Sequence, residues 1–264
     1  MSDSMRFFDS HAHLNNEQFA LDCDAVRERM ATAGVTRVCE IGYDLASSRR
    51  AIAAATTHPG CWAVVGVQPN HPEVAQDPTW LEQLDLLAEH PKVVAIGEIG
   101  FDHHYAIAPV AEQEALFRAQ IGLAARHQLP IVIHSRNAHD DTLRVLSDVR
   151  HPYGVIMHSF SGDVAYAKAC IAIGCVLSLS GPITFKNNHT MHDVVRAVGL
   201  EHLLIETDSP YLSPHPHRGK RNEPTNVPLV AAFIAATKNI GLTDVAEATW
   251  HNANRVFGLS DDTP

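Results

Sequence analysis

Eight short runs of β-branched and aliphatic residues, each followed by a longer stretch with helical spacing, constrain this chain more than any other feature in it. The runs cover Arg6 to His13, Val35 to Tyr43, Cys61 to Pro69, Val93 to Asp102, Pro130 to Ser135, Gly154 to Ser159, Val176 to Gly181 and His202 to Asp208. Helical periodicity falls between them, over Phe19 to Ala33, Asp44 to Thr57, Pro78 to Glu89, Ala111 to His127, Asp140 to Val149, Val164 to Ile173 and Met191 to Val198. The stretch from Asn226 to Leu259 reads as one long helix or two shorter ones. Eight strand-helix pairs predict a closed (β/α)8 TIM barrel in preference to an open sheet.

A length of 264 residues suits one α/β barrel, so a single domain over residues 1–264 is expected. No apolar run approaches the roughly 18 to 20 residues that span a bilayer, and no basic stretch precedes an apolar one at the start. The chain therefore reads as cytoplasmic, with no membrane association and no obligate protein partner predicted. The five cysteines are odd in number and form no C-x-x-C pair, which predicts reduced, buried thiols. A net charge of -10 excludes a broad surface that wraps nucleic acid, because phosphate affinity comes mainly from Lys and Arg. A polyanionic substrate has to be held locally.

In such barrels the chemistry sits at the carboxyl ends of the strands. Those ends are unusually polar here: Asp9, His11 and His13 in "DSHAHL", Gln68 and Asn70 in "GVQPNH", Glu98 in "VVAIGEIGFD", His134 in "IVIHSRNA", His158 in "GVIMHSFSG", and Glu206 and Asp208 in "LLIETDSPYLSP". One histidine closing a strand is ordinarily a packed, hydrogen-bonded residue, H-x-H is a weak pattern, and Glu98 alone fits an ion pair with Arg136. Together His11, His13, Glu98, His134, His158 and Asp208 bring nitrogen and oxygen donors from five strands to one opening. Few arrangements other than bound cations stabilise so many buried polar groups. Six donors including a carboxylate able to bridge predict two divalent ions, of a kind (Mg, Mn or Zn) that the residues do not decide.

The motifs "DSHAHL", "AIGEIGFD", "IVIHSRNA", "MHSFSG", "ETDSPYLSP", "RGKRNEP" and "HNANRVF" resemble those of the TatD-type metal-dependent deoxyribonucleases, from about Phe8 to Phe257. The resemblance implies a TIM barrel that hydrolyses DNA phosphodiester bonds, often as a 3′-to-5′ exonuclease on single-stranded ends, with a place in DNA repair or degradation. It also implies that His11, His13 and Asp208 hold one metal, that His134 and His158 hold the other, and that Glu98 bridges. The chain departs from the pattern at Gln68 and Asn70, where the family usually has histidines.

The loop "HPHRGKRNEP" is the densest basic stretch, and it follows the eighth strand. Arg218, Lys220 and Arg221, with Arg136, are the expected phosphate donors, and Tyr211 is a stacking surface for a terminal base. Glu206 is expected to contact a ligand histidine or the neighbouring loop, and Asp208 to double as proton acceptor. The alternative function is a metal-dependent amidohydrolase, lactonase or phosphotriesterase acting on a small molecule, since the same barrel serves all of these.

Overall fold

The computed structural model describes residues 5–260; the outermost parts of the expected 1–264 domain lie outside the described residues. Eight parallel strands pair in strict chain order: β1 (Phe7–Ala12), β2 (Val35–Ile41), β3 (Cys61–Val65), β4 (Val93–Asp102), β5 (Ile131–Arg136), β6 (Val155–Met157), β7 (Cys175–Leu179) and β8 (Leu203–Ile205). Between them run α1 (Cys23–Thr32), α2 (Leu45–Thr57), α3 (Trp80–Ala88), α4 (Val110–His127), α5 (His139–Val149), α6 (Val164–Ala172) and α7 (His189–Ala197). The chain after β8 forms two helices, α8 (Val227–Lys238) and α9 (Leu242–Val256), broken at Asn239 in a left-handed conformation. This is the (β/α)8 TIM barrel that the alternation predicts.

Residues with apolar spacing form two layers of core. One lies between strands and helices and joins Phe7, Val38, Ile99 and Ile133 to Met30, Ala51, Phe117, Val194 and Ile234. The other fills the barrel with Phe8, Ile41, Val64, Val132, Ile156 and Leu204, and Trp250 and Phe257 of the C-terminal segment pack against it. Phe7 and Phe8 thus serve different layers. The β1/β2 register shifts twice, before Phe8 and between Asp9 and Ala12, so regular alternation from Phe7 through His13 is interrupted where the polar residues begin.

The seam between β8 and β1 is built from the polar residues themselves. Thr207 N and Thr207 Oγ1 donate to the buried Asp9 carboxyl (2.9 and 2.5 Å), Asp208 N donates to His11 O (2.9 Å), and His13 N donates to Ser209 O (2.8 Å). Burial is what pushes the Asp9 carboxyl up, to about 8.

Several strands end earlier than their sequence suggests, because the backbone turns at the polar positions. Ser159 and Asp208 both take positive φ (40° and 57°), a region that ends a strand and that Asp tolerates better than most residues. Helix α1 likewise starts at Cys23 and not at Phe19, after a separate 3-10 turn over Glu17–Phe19. All five cysteines are free; Cys23 is half-buried and the other four are buried. Among the described residues no single helix is long and apolar enough to cross a membrane.

Candidate metal centre

Glu98 lies inside β4, a strand buried along its whole length, and its two carboxylate oxygens face different histidines. Oε2 is 3.6 Å from His11 Nε2 and 3.9 Å from His13 Nε2. Oε1 is 3.4 Å from His158 Nε2 and makes a short contact with His134 Nδ1. Asp208 Oδ1 closes the first group, at 3.7 Å from His11 Nε2 and 3.4 Å from His13 Nε2, and these two nitrogens are 3.2 Å apart. The six strand-end residues therefore converge.

The spacing fits a cation. A tetrahedral ion with bonds of about 2.0–2.1 Å separates its donors by about 3.3–3.4 Å. Five of the six distances among His11 Nε2, His13 Nε2, Glu98 Oε2 and Asp208 Oδ1 run from 3.2 to 3.9 Å. Three overlapping groups of donors, each within 4.8 Å of one another, occur among the described residues: His11, His158 and Asp208; His11, His13 and Glu98; Glu98, His134 and His158. Burial by itself would raise the carboxyls of Glu98 and Asp208, yet the surrounding histidines hold both below their ordinary range. Both shifts favour the ionised form, the form that can ligate a cation.

Outer contacts aim these side chains. Glu206 Oε1 lies 2.8 Å from His158 Nδ1 and accepts from Ser159 N (2.9 Å), so it touches both the histidine and the loop. His13 Nδ1 faces Ile41 O at 3.3 Å. Gly100 lets β4 pass close to β5 beside the site: it has φ +141°, and a Cβ there would lie 2.1 Å from His134 O.

Asp102, the last residue of β4, is a component the sequence reading did not single out. Its Oδ2 accepts from Asn70 Nδ2 (3.0 Å) and faces His134 Nε2 (3.1 Å), and its Oδ1 accepts from His104 N and Tyr105 N (both 2.8 Å). Burial would raise this carboxyl, but His134, Asn70 and Tyr105 N together hold it well below the usual range. Its strand-end position was the available signal, and Glu98 on the same strand overshadowed it.

The cluster opens into a cavity of about 600 Å³. Gln68, Asn70, Tyr105 and Arg136 line one side, with the Arg136 guanidinium over the Tyr105 ring at 4.8 Å; Phe160, Ile183, Met191 and Tyr211 contribute to the other. Tyr211 is about half exposed, whereas Phe101 is fully buried in the core. His103 and His104 do not line this cavity.

The basic loop is placed differently from the expectation. None of Arg218, Lys220 and Arg221 lines the cavity. Arg221 donates to both oxygens of Asp22 (2.8 and 2.6 Å), to Glu223 Oε1 (3.0 Å) and to Gln18 O (2.6 Å), and it stacks on Phe19. It fastens the loop after β8 to the loop after β1. Arg218 packs over the Phe185 ring at 4.4 Å, and Lys220 is exposed. For Arg221 the carboxylates of Asp22 and Glu223 account for this placement, since they already engage its guanidinium.

Residues 8–258 of the chain match the family described as TatD related DNase. The protein belongs to the TatD family. It is 40% identical over 256 residues to an uncharacterized metal-dependent hydrolase of Bacillus subtilis, YabD, covering 96% of this chain and 99% of that protein. It is 33% identical over 258 residues to a protein named 3′-5′ ssDNA/RNA exonuclease TatD in Klebsiella pneumoniae, covering 96% and 98%. Among solved structures it is similar to the TatD homologue YjjV of Escherichia coli, with a TM-score of 0.90 and 29% identity over 97% of this chain and 99% of that one. As a TatD-family member the chain is a metal-dependent hydrolase, and the cluster around Glu98 is where its metal can be held.

Proposed function

We propose that this TatD-family chain hydrolyses phosphodiester bonds of single-stranded nucleic acid, DNA in the first instance, removing nucleotides from the 3′ end with two divalent ions. The observation that carries the reading is the division of Glu98, one oxygen toward His11 and His13 and the other toward His134 and His158. Such a division suits a carboxylate shared by two cations. Relatives named 3′-5′ ssDNA/RNA exonucleases, matched over almost their full length, supply the substrate class.

Ions bound there would polarise a phosphoryl oxygen and lower the pKa of an attacking water. His11, His13 and Asp208 would hold one, His134 and His158 the other, and Glu98 both. Asp208, which faces the His11 and His13 imidazoles, is the carboxylate positioned to take the proton that the nucleophile loses. Arg136, at the cavity wall, would offset charge on the phosphate, and Tyr211 at the opposite rim offers its ring to the terminal base. Glu206 keeps His158 turned toward Glu98.

The test is a 5′-labelled single-stranded oligonucleotide incubated with the purified chain, with chelator, and with Mg, Mn or Zn restored. A ladder shortening from the 3′ end, absent with chelator and blocked by a 3′-terminal phosphorothioate, is expected. An intact oligonucleotide under every metal, alongside rapid turnover of a lactone or phosphotriester, would transfer the assignment to the small-molecule reading.

A further inference from the structure

We propose that Asp102, itself held by Asn70, is a positioning residue that fixes the His134 ring so that Nδ1, and not Nε2, is its metal donor. This inference rests on the metal reading above and deepens it. Histidine presents two nitrogens, and the partner of one decides which of them keeps the proton and which is free to ligate. For His134 the two sides are clear: Nδ1 meets Glu98 Oε1 and Nε2 lies 3.1 Å from Asp102 Oδ2.

Asp102 has little freedom to do otherwise. Its Oδ1 is occupied by two backbone N–H groups, from His104 and Tyr105, and Asn70 Nδ2 holds Oδ2 from the other side. Its own N–H donates to Gln113 Oε1 at 2.8 Å, and the side chain is fully buried. A carboxylate with this set of donors can only accept, so the His134 nitrogen facing it has to carry hydrogen.

The opposite arrangement holds at His158, where Glu206 faces Nδ1 and Nε2 is turned to Glu98. The two histidines on the Oε1 side of Glu98 therefore turn different ring nitrogens toward it, each with a carboxylate beside its other nitrogen. Asn70 gains a role from this: its amide supplies a donor to Asp102 without adding charge to the site.

Asp102→Asn is the informative variant. An asparagine can keep its oxygen toward the His104 and Tyr105 amides, which preserves the loop, and it then presents N–H₂ to His134 Nε2 and to the Asn70 amide, whose otherwise unpartnered oxygen turns to accept. The ring must answer with an acceptor there and a hydrogen on Nδ1, which removes the donor. Zinc or manganese titration followed by calorimetry should resolve two binding events in the wild-type chain. In D102N one event should weaken by about 10- to 100-fold while the other and the melting temperature stay near wild type. Asn70→Ala should weaken the same event by less. In the zinc-loaded wild type, ¹⁵N NMR should show His134 Nδ1 as the metal-bound nitrogen and Nε2 as protonated.

Two ions bound normally by D102N, both events weakening together with a fall in melting temperature, or Nε2 as the zinc-bound nitrogen would each overturn the inference while leaving the metal site intact. A wild-type chain that takes up no divalent ion would overturn the metal reading and this inference together.

Discussion

His11 and His158 lie face to face, with ring centroids 3.6 Å apart and 19° between the planes, although they come from opposite halves of the chain. The stack joins the two donor groups that meet at Glu98. His11 lies with His13 and Asp208 on the Oε2 side of Glu98, and His158 lies with His134 on the Oε1 side. Burial and the neighbouring imidazole push the His11 ring down, whereas Glu206 and Glu98 outweigh burial and push His158 up to about 10. Donors of the two groups thus touch directly, beside the carboxylate they share.

Glu98→Gln and Asp208→Asn should therefore both abolish hydrolysis, by at least about 10³-fold, the equivalent of several kcal/mol of metal-borne stabilisation. They should differ in metal content. The amide at 98 reaches both groups and is expected to lower occupancy of both ions; the amide at 208 acts on the His11 and His13 group. Elemental analysis of the purified variants, with circular dichroism as a control for folding, checks this. Near-normal turnover in either variant would refute the assignment.

Arg136 and Arg221 should respond in opposite ways. Arg136 is exposed at the cavity wall, so Arg136→Ala should raise KM for an oligonucleotide by about tenfold or more, given about 1.5–3 kcal/mol for hydrogen bonds to a charged group. Arg221 is already engaged by Asp22, Glu223 and Gln18, so Arg221→Ala should leave kcat/KM within about twofold. A large selective loss of oligonucleotide cleavage at Arg221 would restore the basic loop as the phosphate clamp.

The contrast between these arginines shows which parts of the molecule were legible in the sequence. The barrel could be read because its period repeats eight times, and each polar strand end stands out against an apolar run. His11, His13, Glu98, His134, His158 and Asp208 converge for that reason alone. Loops carry no period. Whether Arg221 faces the cavity or Asp22 depends on two chain segments far apart in sequence, and no local pattern records that distance. Asp102 was hidden differently: it closes the same strand as Glu98, and its importance comes from Asn70 and His134, which reach it only after the sheet has formed. The early strand ends at Ser159 and Asp208 follow from left-handed backbone at residues other than glycine, which residue type does not announce.

The ion pair between Arg27 and Glu40 should be costly to break from either side. Glu40 is fully buried, Arg27 Nη2 donates to its Oε2 at 3.1 Å, and Asn15 N donates to its Oε1 at 2.7 Å, which fixes the segment just after His13. Removing one partner leaves a buried charge without compensation, a loss of about 3–5 kcal/mol. Glu40→Gln should therefore lower the urea midpoint more than the double variant Arg27→Met, Glu40→Gln. If the double variant were less stable than the wild type by the sum of the losses seen in Glu40→Gln and Arg27→Met alone, the pair would not be coupled.

Glu114 offers a pH test away from the metal centre. Its carboxylate, on α4, accepts from Arg144 of α5 and from Arg118, and these guanidinium groups pull it down from 4.5 to about 2. A depressed folded-state pKa means that the folded form binds the proton less tightly than the unfolded form does. The resulting stability is present in full above about 4.5 and is lost as pH falls toward about 2. The side chains are partly exposed, Glu114 by 24% and Arg144 by 46%, so solvent screening limits the contribution to about 1 kcal/mol or less. The difference in urea midpoint between wild type and Glu114→Gln should accordingly be largest near neutral pH and shrink between pH 5 and the lowest pH at which both fold. A difference that stays constant across that range would assign the stabilisation to packing of the side-chain stem and not to its charge.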